Sequence, residues 1–283
     1  MENILEVKNL NKKYKNFELQ DINFSIPKGY IMGFIGQNGA GKTTTIKLIM
    51  NLVKKDSGEI KVFGKDNLQC EKEIKEKIGF VYDDCFFYEQ LSLDDNAKLI
   101  GAVYKNWSFD TFYKYLDKFG LNKKQKIKEL SKGMKMKFSL SVALSHNAEF
   151  IIMDEPTAGL DPVVRVEVLN ILRNEIQNEN VGVLLSTHIT SDLEKIADYI
   201  TYINDGKVLF SKSKEEIFDE YKIVKGDKEL LNKDNEKYFE GIRKNPYGFE
   251  ALTSKVDEVK KIFGNKVVIE KVTLDQIMIL KRK

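Results

Sequence analysis

Short apolar runs alternate along the chain with segments of helical periodicity. The run at 30–35 enters a glycine-rich turn, after which apolar residues recur at helical spacing over 42–53. Further apolar runs at 150–153 and 183–185 end in polar residues and precede helix-like stretches. This alternation predicts an α/β fold with a parallel sheet covered by helices. Ligands of such sheets bind at the carboxyl ends of the strands, where the polar residues fall.

The middle and the end of the chain have other patterns. Between about residues 84 and 146 the periodicity is helical, with helices predicted at 91–104, 109–119 and 132–145. Beyond residue 210, charged helical stretches mix with strand-like pieces at 221–224 and 267–272. We therefore expect a domain over 1–210 with an inserted helical subdomain at about 84–146, and a small accessory domain over 211–283.

Composition excludes several classes of protein. A chain of 283 residues with 42% hydrophobic residues can fill a core. No apolar run approaches the roughly 18 residues of a membrane-spanning helix, and the residues at the amino terminus lack a basic-then-apolar signal pattern, so the chain is expected to stay in the cytosol. The two cysteines, Cys70 and Cys85, lack the spacing of a disulfide framework or a zinc site.

The charge of the chain does not indicate a nucleic-acid partner. Basic and acidic residues balance over 1–210, and the formal net charge of +3 equals that of the last three residues, Lys281, Arg282 and Lys283. A dedicated nucleic-acid binder carries a basic stripe. We therefore expect no nucleic acid among the partners.

Residues 36–43 read Gly-Gln-Asn-Gly-Ala-Gly-Lys-Thr, which fits the eight-residue phosphate loop, and Thr44 follows. In such a loop backbone N–H groups turn toward the β-phosphate, Lys42 reaches the β and γ oxygens, and the Thr43 hydroxyl is a ligand of Mg²⁺. The alternative is a glycine turn before a helix. The sequence predicts ATP and Mg²⁺ as cofactors, with these nucleotide-binding residues: Gly36, Asn38, Gly39, Ala40, Gly41, Lys42, Thr43 and Thr44.

An acidic pair, Asp154 and Glu155, ends the apolar run at 150–153. A carboxylate at a strand end can hold Mg²⁺ or its water, so Asp154 is a predicted metal ligand. Glu155 could orient and deprotonate an attacking water. The alternative, a solvated strand end, is weakened by the phosphate loop upstream.

Over residues 3–210 the chain resembles ATP-binding cassette (ABC) ATPases. The family signature, usually Leu-Ser-Gly-Gly-Gln, corresponds to Leu-Ser-Lys-Gly-Met at 130–134; the loop after the acidic pair is Ala-Gly-Leu-Asp at 158–161, and the switch histidine corresponds to His188. Tyr14 occupies the place of the residue that stacks on adenine. The resemblance implies a P-loop NTPase with a RecA-like mixed sheet, an antiparallel β subdomain and an inserted helical subdomain, here followed by a small C-terminal α/β domain.

The resemblance also implies roles for site residues. Ser131 and Gly133 would close over the γ-phosphate held by an opposite subunit, with Ser131 as the N-cap of a helix whose N–H groups form an anion site. Asp161 would communicate across that interface. Lys42, Glu155 and His188 form the implied catalytic set, in which His188 contacts the γ-phosphate and the attacking water. The other histidine, His146, has no such context and is expected to be structural.

Three positions depart from the common family form. Asp83 stands where a glutamine usually contacts Mg²⁺, and it is expected to keep that role, which gives a metal set of Thr43, Asp83 and Asp154. Lys132 replaces a glycine of the signature and adds charge near the nucleotide. Met134 replaces a glutamine and removes a polar contact with the ribose. Because Ser131 and Gly133 remain, phosphate clamping is expected to survive.

The resemblance implies an ATPase that dimerises on ATP, with an identical or related cassette, and drives a separate transmembrane permease. It would then lie on the cytoplasmic face of the membrane. The Gln-Asn pair at 37–38, the Tyr-Asp pair at 82–83 and the tail at 273–277 are similar to bacterial ABC-2 exporters, including exporters of bacitracin-type and phenol-soluble-modulin peptides. The expected cargo is therefore peptides or antimicrobial, amphipathic compounds.

Other classes of phosphate-loop ATPase can be distinguished by their sequence features. A soluble ABC ATPase without a membrane partner, for example in cluster assembly, stays open. Chromosome-maintenance ATPases place a long coiled coil between the phosphate loop and the signature, and ribosome-associated cassettes occur in pairs on one chain; neither feature occurs here. The signature disfavours a generic kinase. The C-terminal 73 residues either cover the cassette or help to pair two subunits.

Overall fold

The computed structural model describes residues 2–83 and 86–281. Asp84 and Cys85, where the expected helical subdomain begins, and the last two residues, Arg282 and Lys283, lie outside this part of the chain. The chain forms two compact units, with the boundary between Ser211 and Lys212.

The first unit contains two sheets and seven helices among the residues described. Its strands are β1 (Asn3–Lys13), β2 (Glu18–Pro27), β3 (Ile31–Ile35), β4 (Ser57–Val62), β5 (Lys65–Asp66), β6 (Ile78–Val81), β7 (Phe150–Asp154), β8 (Gly182–Thr187), β9 (Tyr199–Asn204) and β10 (Lys207–Ser213). Its helices are α1 (Lys42–Ile49), α2 (Glu71–Lys75), α3 (Leu93–Gly101), α4 (Phe109–Lys118), α5 (Lys132–Leu144), α6 (Pro162–Glu175) and α7 (Thr190–Ile196).

The central sheet has the strand order β10-β9-β3-β8-β7-β6. The five strands β9, β3, β8, β7 and β6 are parallel to one another. All residues of β3, β7 and β8 are buried, which explains their continuous apolar character. The turn between β9 and β10 consists of Asp205 and Gly206, both with positive φ, as in a tight β-hairpin. The sheet is therefore mixed, as the resemblance implies.

The register of the central sheet brings three strand ends together. Ile35 pairs with Thr187, and Asp154 pairs with Ser186. Residues that directly follow β3, β7 and β8 must therefore lie at one edge of the sheet. These are Gly36, Glu155 and His188.

The second sheet of this unit, β2-β1-β4-β5, is antiparallel. Its buried side chains, such as Leu5, Val7 and Ile60, share a core with Phe34 of β3 and Ile46 of α1. The antiparallel β subdomain expected from the resemblance is thus present, and it packs on the face that carries α1.

The helices expected between residues 91 and 145 are confirmed as α3, α4 and α5. The segment is not helical throughout, because a 3₁₀ turn, Ile127–Glu129, and a bridge between Ser92 and Lys126 interrupt it. Serine N-caps begin all three helices: Ser92, Ser108 and Ser131 each accept a hydrogen bond from the backbone N–H three residues later.

The second unit is built on an antiparallel sheet with the order β12-β13-β11-β14. Its elements are α8 (Lys214–Glu220), β11 (Lys222–Gly226), β12 (Gly241–Asn245), β13 (Gly248–Thr253), α9 (Val256–Phe263), β14 (Val267–Lys271) and α10 (Leu274–Leu280). Val259 and Phe263 of α9 pack on Val224 and Ala251, which forms a separate small core. The strand-like pieces at 221–224 and 267–272 are confirmed as β11 and β14.

No helix among residues 2–83 and 86–281 has the length and apolar character needed to cross a membrane.

Candidate functional site

The loop between β3 and α1 lies at the carboxyl edge of the central sheet. Gly36 passes so close to β9 that an added Cβ would lie 2.4 Å from the Ile203 carbonyl oxygen, and Gly41, the N-cap of α1, has φ 114°. The sequence needs glycine at both positions, one for space and the other for its backbone conformation. Asn38 and Gly39 are exposed at the tip of the loop, whereas Ala40 is buried. A loop of this form at the start of a helix directs backbone N–H groups toward a bound anion.

Lys42 is 5% exposed, and three oxygens surround its ammonium group. Nζ donates to the carbonyl oxygens of Gly36 at 2.8 Å and Gln37 at 3.2 Å, and it lies 3.1 Å from Oε1 of Glu155. That carboxylate oxygen is buried and receives no hydrogen bond of ordinary geometry among the residues described. The contact between Lys42 and Glu155 is therefore a close ion pair rather than an aligned hydrogen bond.

Asp154 is 6% exposed at the end of β7, where Oδ1 accepts a 2.9 Å hydrogen bond from the Ser186 hydroxyl. Burial raises the pKa of this carboxyl, and the charges of Glu155 and Asp83 raise it further, against hydrogen bonds from Thr43 and Ser186. Asp154 also contributes, after burial, to the raised pKa of Tyr82. The predicted metal set of Thr43, Asp83 and Asp154 is thus close enough to interact.

Glu155 adopts a left-handed backbone conformation, with φ 50°, directly after β7. Its N–H donates to the Ser186 carbonyl oxygen, and its Oε2 lies 2.8 Å from Nδ1 of His188. The Glu155 side chain is 14% exposed and that of His188 is 45% exposed. This unusual backbone at a strand end is the kind of local strain that functional sites retain. The turn directs the carboxylate between Lys42 and His188.

Tyr14 lies in the turn between β1 and β2, where it is 40% exposed and Lys12 Nζ lies 5.5 Å from its ring centroid. The same turn leads to Phe17 and Leu19, whose side chains come within 3.0 Å of the position of a Cβ on Gly41. The Tyr14 turn therefore runs beside the phosphate loop, where an exposed ring can stack on a base.

The second group of predicted residues lies on helices, not at the strand ends. Ser131 caps α5 by accepting a hydrogen bond from Met134 N–H, and Asp161 caps α6 by accepting from two N–H groups. The start of α5 packs on α6, since a Cβ on Gly133 would lie 3.3 Å from Val164. The signature and the Asp161 loop are thus neighbours within one chain. Lys132 of the signature is exposed.

His146 is buried and its Nε2 lies 3.0 Å from the Ile78 carbonyl oxygen. Burial lowers the pKa of its imidazole, so the neutral form is favoured. This agrees with the structural role expected from the sequence. Cys70 is a free, half-buried cysteine.

The residues present fit a nucleotide with Mg²⁺. The loop at 36–43 offers backbone N–H groups and one lysine to phosphate, and Thr43 and Asp154 offer hard oxygen ligands. No cluster of three or more His, Cys, Asp or Glu side chains able to hold a metal occurs among the residues described.

Sequence reasoning missed two parts of this site. Ser186 holds Asp154, although nothing in its local sequence indicates a partner 32 residues away. Arg165 of α6 donates to Asp192 at 2.6 Å and to the Ser191 hydroxyl at 2.9 Å. Its only sequence signal is that it is one of four arginines in a lysine-rich chain.

The chain is similar in sequence to known transport proteins. The chain matches the ABC transporter family over residues 19–158. Bacitracin transport ATP-binding protein BcrA of Bacillus licheniformis is 35% identical over 216 residues, covering 74% of this chain and 69% of the relative. Lantibiotic transport ATP-binding protein SrtF of Streptococcus pyogenes is 35% identical over 212 residues, covering 74% of this chain and 90% of the relative.

Solved structures give the same result. A structure described as the ATP-binding subunit of an ABC transporter has a TM-score of 0.69 at 30% identity and covers 76% of this chain and 91% of its own. The cbiO1 protein of Clostridium perfringens, described as part of the ABC transporter complex cbiONQ, has a TM-score of 0.67 at 26% identity, with 78% and 92% covered. The chain therefore belongs to the ABC transporter family, as one of its ATP-binding ATPase subunits.

Proposed function

We propose that this chain is the ATP-hydrolysing subunit of a bacterial ABC exporter of peptides or other amphipathic antimicrobial compounds. Two relatives that are 35% identical over most of the chain are named as transport proteins for bacitracin and for a lantibiotic. Both of those compounds are peptides. The similarity to such proteins supports the export of molecules of this class.

The observation that carries the ATPase mechanism is the position of the Glu155 carboxylate. One oxygen lies 3.1 Å from Lys42 Nζ and the other 2.8 Å from His188 Nδ1. Glu155 is the general base that takes a proton from the attacking water, and His188 orients that carboxylate. Lys42 stabilises negative charge on the phosphate oxygens.

Asp154, with Thr43 and Asp83, would hold Mg²⁺. When bound, MgATP supplies the anhydride bond to be broken and a divalent charge that stabilises the leaving oxygen. Burial and, after it, the charges of Glu155 and Asp83 raise the pKa of Asp154. A bound cation would oppose these effects, so the ionised form of Asp154 would be favoured on metal binding.

The signature residues act across a dimer interface in this proposal. Ser131 and Gly133 lie at the start of α5, and the N-terminal N–H groups of this 13-residue helix suit an anion. By resemblance to ABC ATPases, we infer that the anion is the γ-phosphate bound to a second cassette. Tyr14 would stack on the adenine, and Asp161 would contact the facing subunit.

A separate permease would receive the motion of the cassette and hold it at the cytoplasmic face of the membrane. A groove of about 520 Å³ lies beside the predicted metal site, with a lining of Tyr82, Asp83, Phe86, Glu89, Lys132, Lys135, Met136 and Ser139. Phe86 is 72% exposed there. An exposed aromatic ring next to Asp83 offers a contact for a segment of the permease. Docking of that segment would then be coupled to the predicted metal site.

The second unit, residues 212–283, is proposed to contribute to the pairing of two subunits. Its own small core around Val224, Phe249 and Phe263 indicates that it is a folded body rather than a loose tail. This role is independent of the catalytic assignment.

The test of this function is affinity purification of the tagged chain from detergent-solubilised membranes of its native cells. We expect a stoichiometric partner with several membrane spans, and ATP hydrolysis by the purified complex that increases with an antimicrobial peptide. Recovery of only water-soluble partners would instead support an ABC ATPase that works without a membrane partner. A complex stimulated neither by peptides nor by other amphipathic antimicrobial compounds would reject the proposed cargo.

A further inference from the structure

Two helices that directly follow loops with proposed site residues are joined by an ion pair that no local sequence pattern indicates. Nε of Arg165 donates to Oδ1 of Asp192 at 2.6 Å, and a second guanidinium nitrogen donates to the Ser191 hydroxyl at 2.9 Å. Asp192 is fully buried and the Arg165 side chain is 26% exposed. The second oxygen of Asp192 has no hydrogen-bond partner among the residues described. Arg165 is therefore the cation that compensates this buried carboxylate.

The pair connects the beginnings of two helices. Arg165 lies one turn after Asp161, and its N–H donates to the Asp161 carbonyl oxygen. Asp192 and Ser191 lie in the first turn of α7, directly after the loop that follows His188. The guanidinium thus bridges the start of α6 and the start of α7.

The docking of α7 on the sheet does not need this pair. Leu193 is fully buried against β3, and its methyl carbons lie 2.8 Å from the position that a Cβ would take on Gly33. Thr190 and Ile196 of α7 are buried as well, so apolar packing holds the helix on the sheet. A planar donor that contacts both a carboxylate and a hydroxyl adds a directional contact at the start of the helix.

We propose that Arg165 and Asp192 are a positioning pair, which holds the His188 loop at a fixed distance from the Asp161 loop and so keeps His188 against Glu155. This inference rests on the proposed roles of Glu155 and His188. It adds that a change at Asp161, the residue proposed to contact the facing subunit, is passed to His188 through Arg165. The two loops then move as one body.

The chain offers a matched control for this proposal. Arg173, also on α6, donates to the Lys195 carbonyl oxygen of α7 at 2.7 Å. It joins the same two helices near their ends, away from both loops. If these contacts served only to hold α6 and α7 together, replacing Arg165 or Arg173 should have similar effects.

The experiment measures ATP hydrolysis and nucleotide affinity of the full chain for Arg165→Lys and Arg173→Lys. Lysine keeps the charge but lacks the planar fork of donors with which Arg165 contacts both of its partners. We expect Arg165→Lys to lower kcat by about tenfold or more with a change in KM below about threefold, because misplaced catalytic groups slow the reaction more than they weaken binding. Arg173→Lys should change neither constant beyond about twofold. Equal effects of the two variants would overturn the proposal.

A second measurement separates positioning from general destabilisation. If Arg165 acts through His188, then Arg165→Lys should cause little further loss of kcat in a His188→Ala background. Losses that multiply would overturn the inference. If Arg165→Lys does not fold, the double variant Arg165→Met, Asp192→Asn can be used instead, because it removes both charges. We expect this double variant to fold and to hydrolyse ATP slowly. Wild-type turnover of the double variant would also reject the proposed pair. Wild-type turnover of His188→Ala alone would instead reject the proposed role of His188.

Discussion

Nζ of Lys42 lies 3.1 Å from Oε1 of Glu155, so the residue that begins α1 and the residue that follows β7 form a buried ion pair. The pair explains why Lys42 can be 5% exposed without an uncompensated charge. Phosphate oxygens would compete with Glu155 for the same ammonium group. Nucleotide binding is then expected to free one carboxylate oxygen of Glu155 while His188 holds the other.

Replacement of Glu155 by Gln should reduce ATP hydrolysis by roughly two to four orders of magnitude, because an amide cannot accept the proton of the attacking water. Nucleotide affinity should be retained. Phosphate release under saturating ATP measures the effect. Glu149→Gln, which removes only a surface ion pair with Lys77, is the control and should hydrolyse ATP normally. Unchanged turnover of Glu155→Gln would reject Glu155 as the base.

Asp154→Asn should stabilise the protein without ligands and abolish its Mg²⁺-dependent activity. Folding raises the pKa of this carboxyl, so the folded state favours its protonated form. Its stabilising contribution is therefore complete below the unfolded pKa and is lost as the pH rises through the folded pKa. At neutral pH the free energy of unfolding of the variant should exceed that of wild type.

Urea denaturation of wild type and Asp154→Asn, each at neutral and at acidic pH, tests whether the charge of Asp154 destabilises the folded state. The difference in unfolding free energy should shrink as the pH falls, since both side chains are then uncharged. Asparagine retains an oxygen for the Ser186 hydroxyl, so loss of that hydrogen bond should not interfere. A variant less stable than wild type at neutral pH would contradict the charge argument.

Asp83→Ala should lower Mg²⁺-dependent ATP hydrolysis by about 10- to 100-fold, as expected for loss of a metal-orienting carboxylate. It should also lower the pKa of Asp154, because the charge of Asp83 contributes to the rise in that pKa. Titration of activity against Mg²⁺ concentration measures the first effect. Asp117→Ala on the exposed surface of α4 is the control. A wild-type rate in Asp83→Ala would show that this position has no metal role.

Gly36→Ala should impair both folding and nucleotide binding. The new methyl group would meet the Ile203 carbonyl oxygen at 2.4 Å, and such overpacking costs about 1–3 kcal/mol. Gly120→Ala is the matched control: it has φ +67° but open space around it, so it should lose only about 1 kcal/mol through backbone strain. Thermal unfolding and binding of a fluorescent nucleotide distinguish the two variants. Normal binding by Gly36→Ala would refute the close approach.

A chain that ends near residue 212 should fold but dimerise less well with ATP. The first unit has its own core, whereas the proposed pairing role belongs to residues 212–283. Light scattering with ATP, on chains that also carry Glu155→Gln to slow hydrolysis, measures the monomer–dimer equilibrium. Equal dimerisation of the short and full chains would assign the second unit a role other than pairing.

The alternation of apolar runs and helical periodicity sufficed to predict β3, β7, β8 and the helices α1, α3, α4 and α5. Local patterns succeeded here because these strands are buried on both faces and the helices begin at serine caps or directly after the glycine loop. The phosphate loop and the acidic pair could also be located, since each is a contiguous motif whose chemistry depends on neighbouring residues.

The sequence by itself determined which residues could bind phosphate, metal and water, because residue type and local spacing limit that chemistry. Only the tertiary structure decided which of them meet. The contacts of Lys42 with Glu155, of Ser186 with Asp154 and of Arg165 with Asp192 depend on the strand order β3-β8-β7 and on the packing of α6 beside α7. Such long-range pairing arises from the burial of whole strands and helices, and no periodicity within a short segment encodes it.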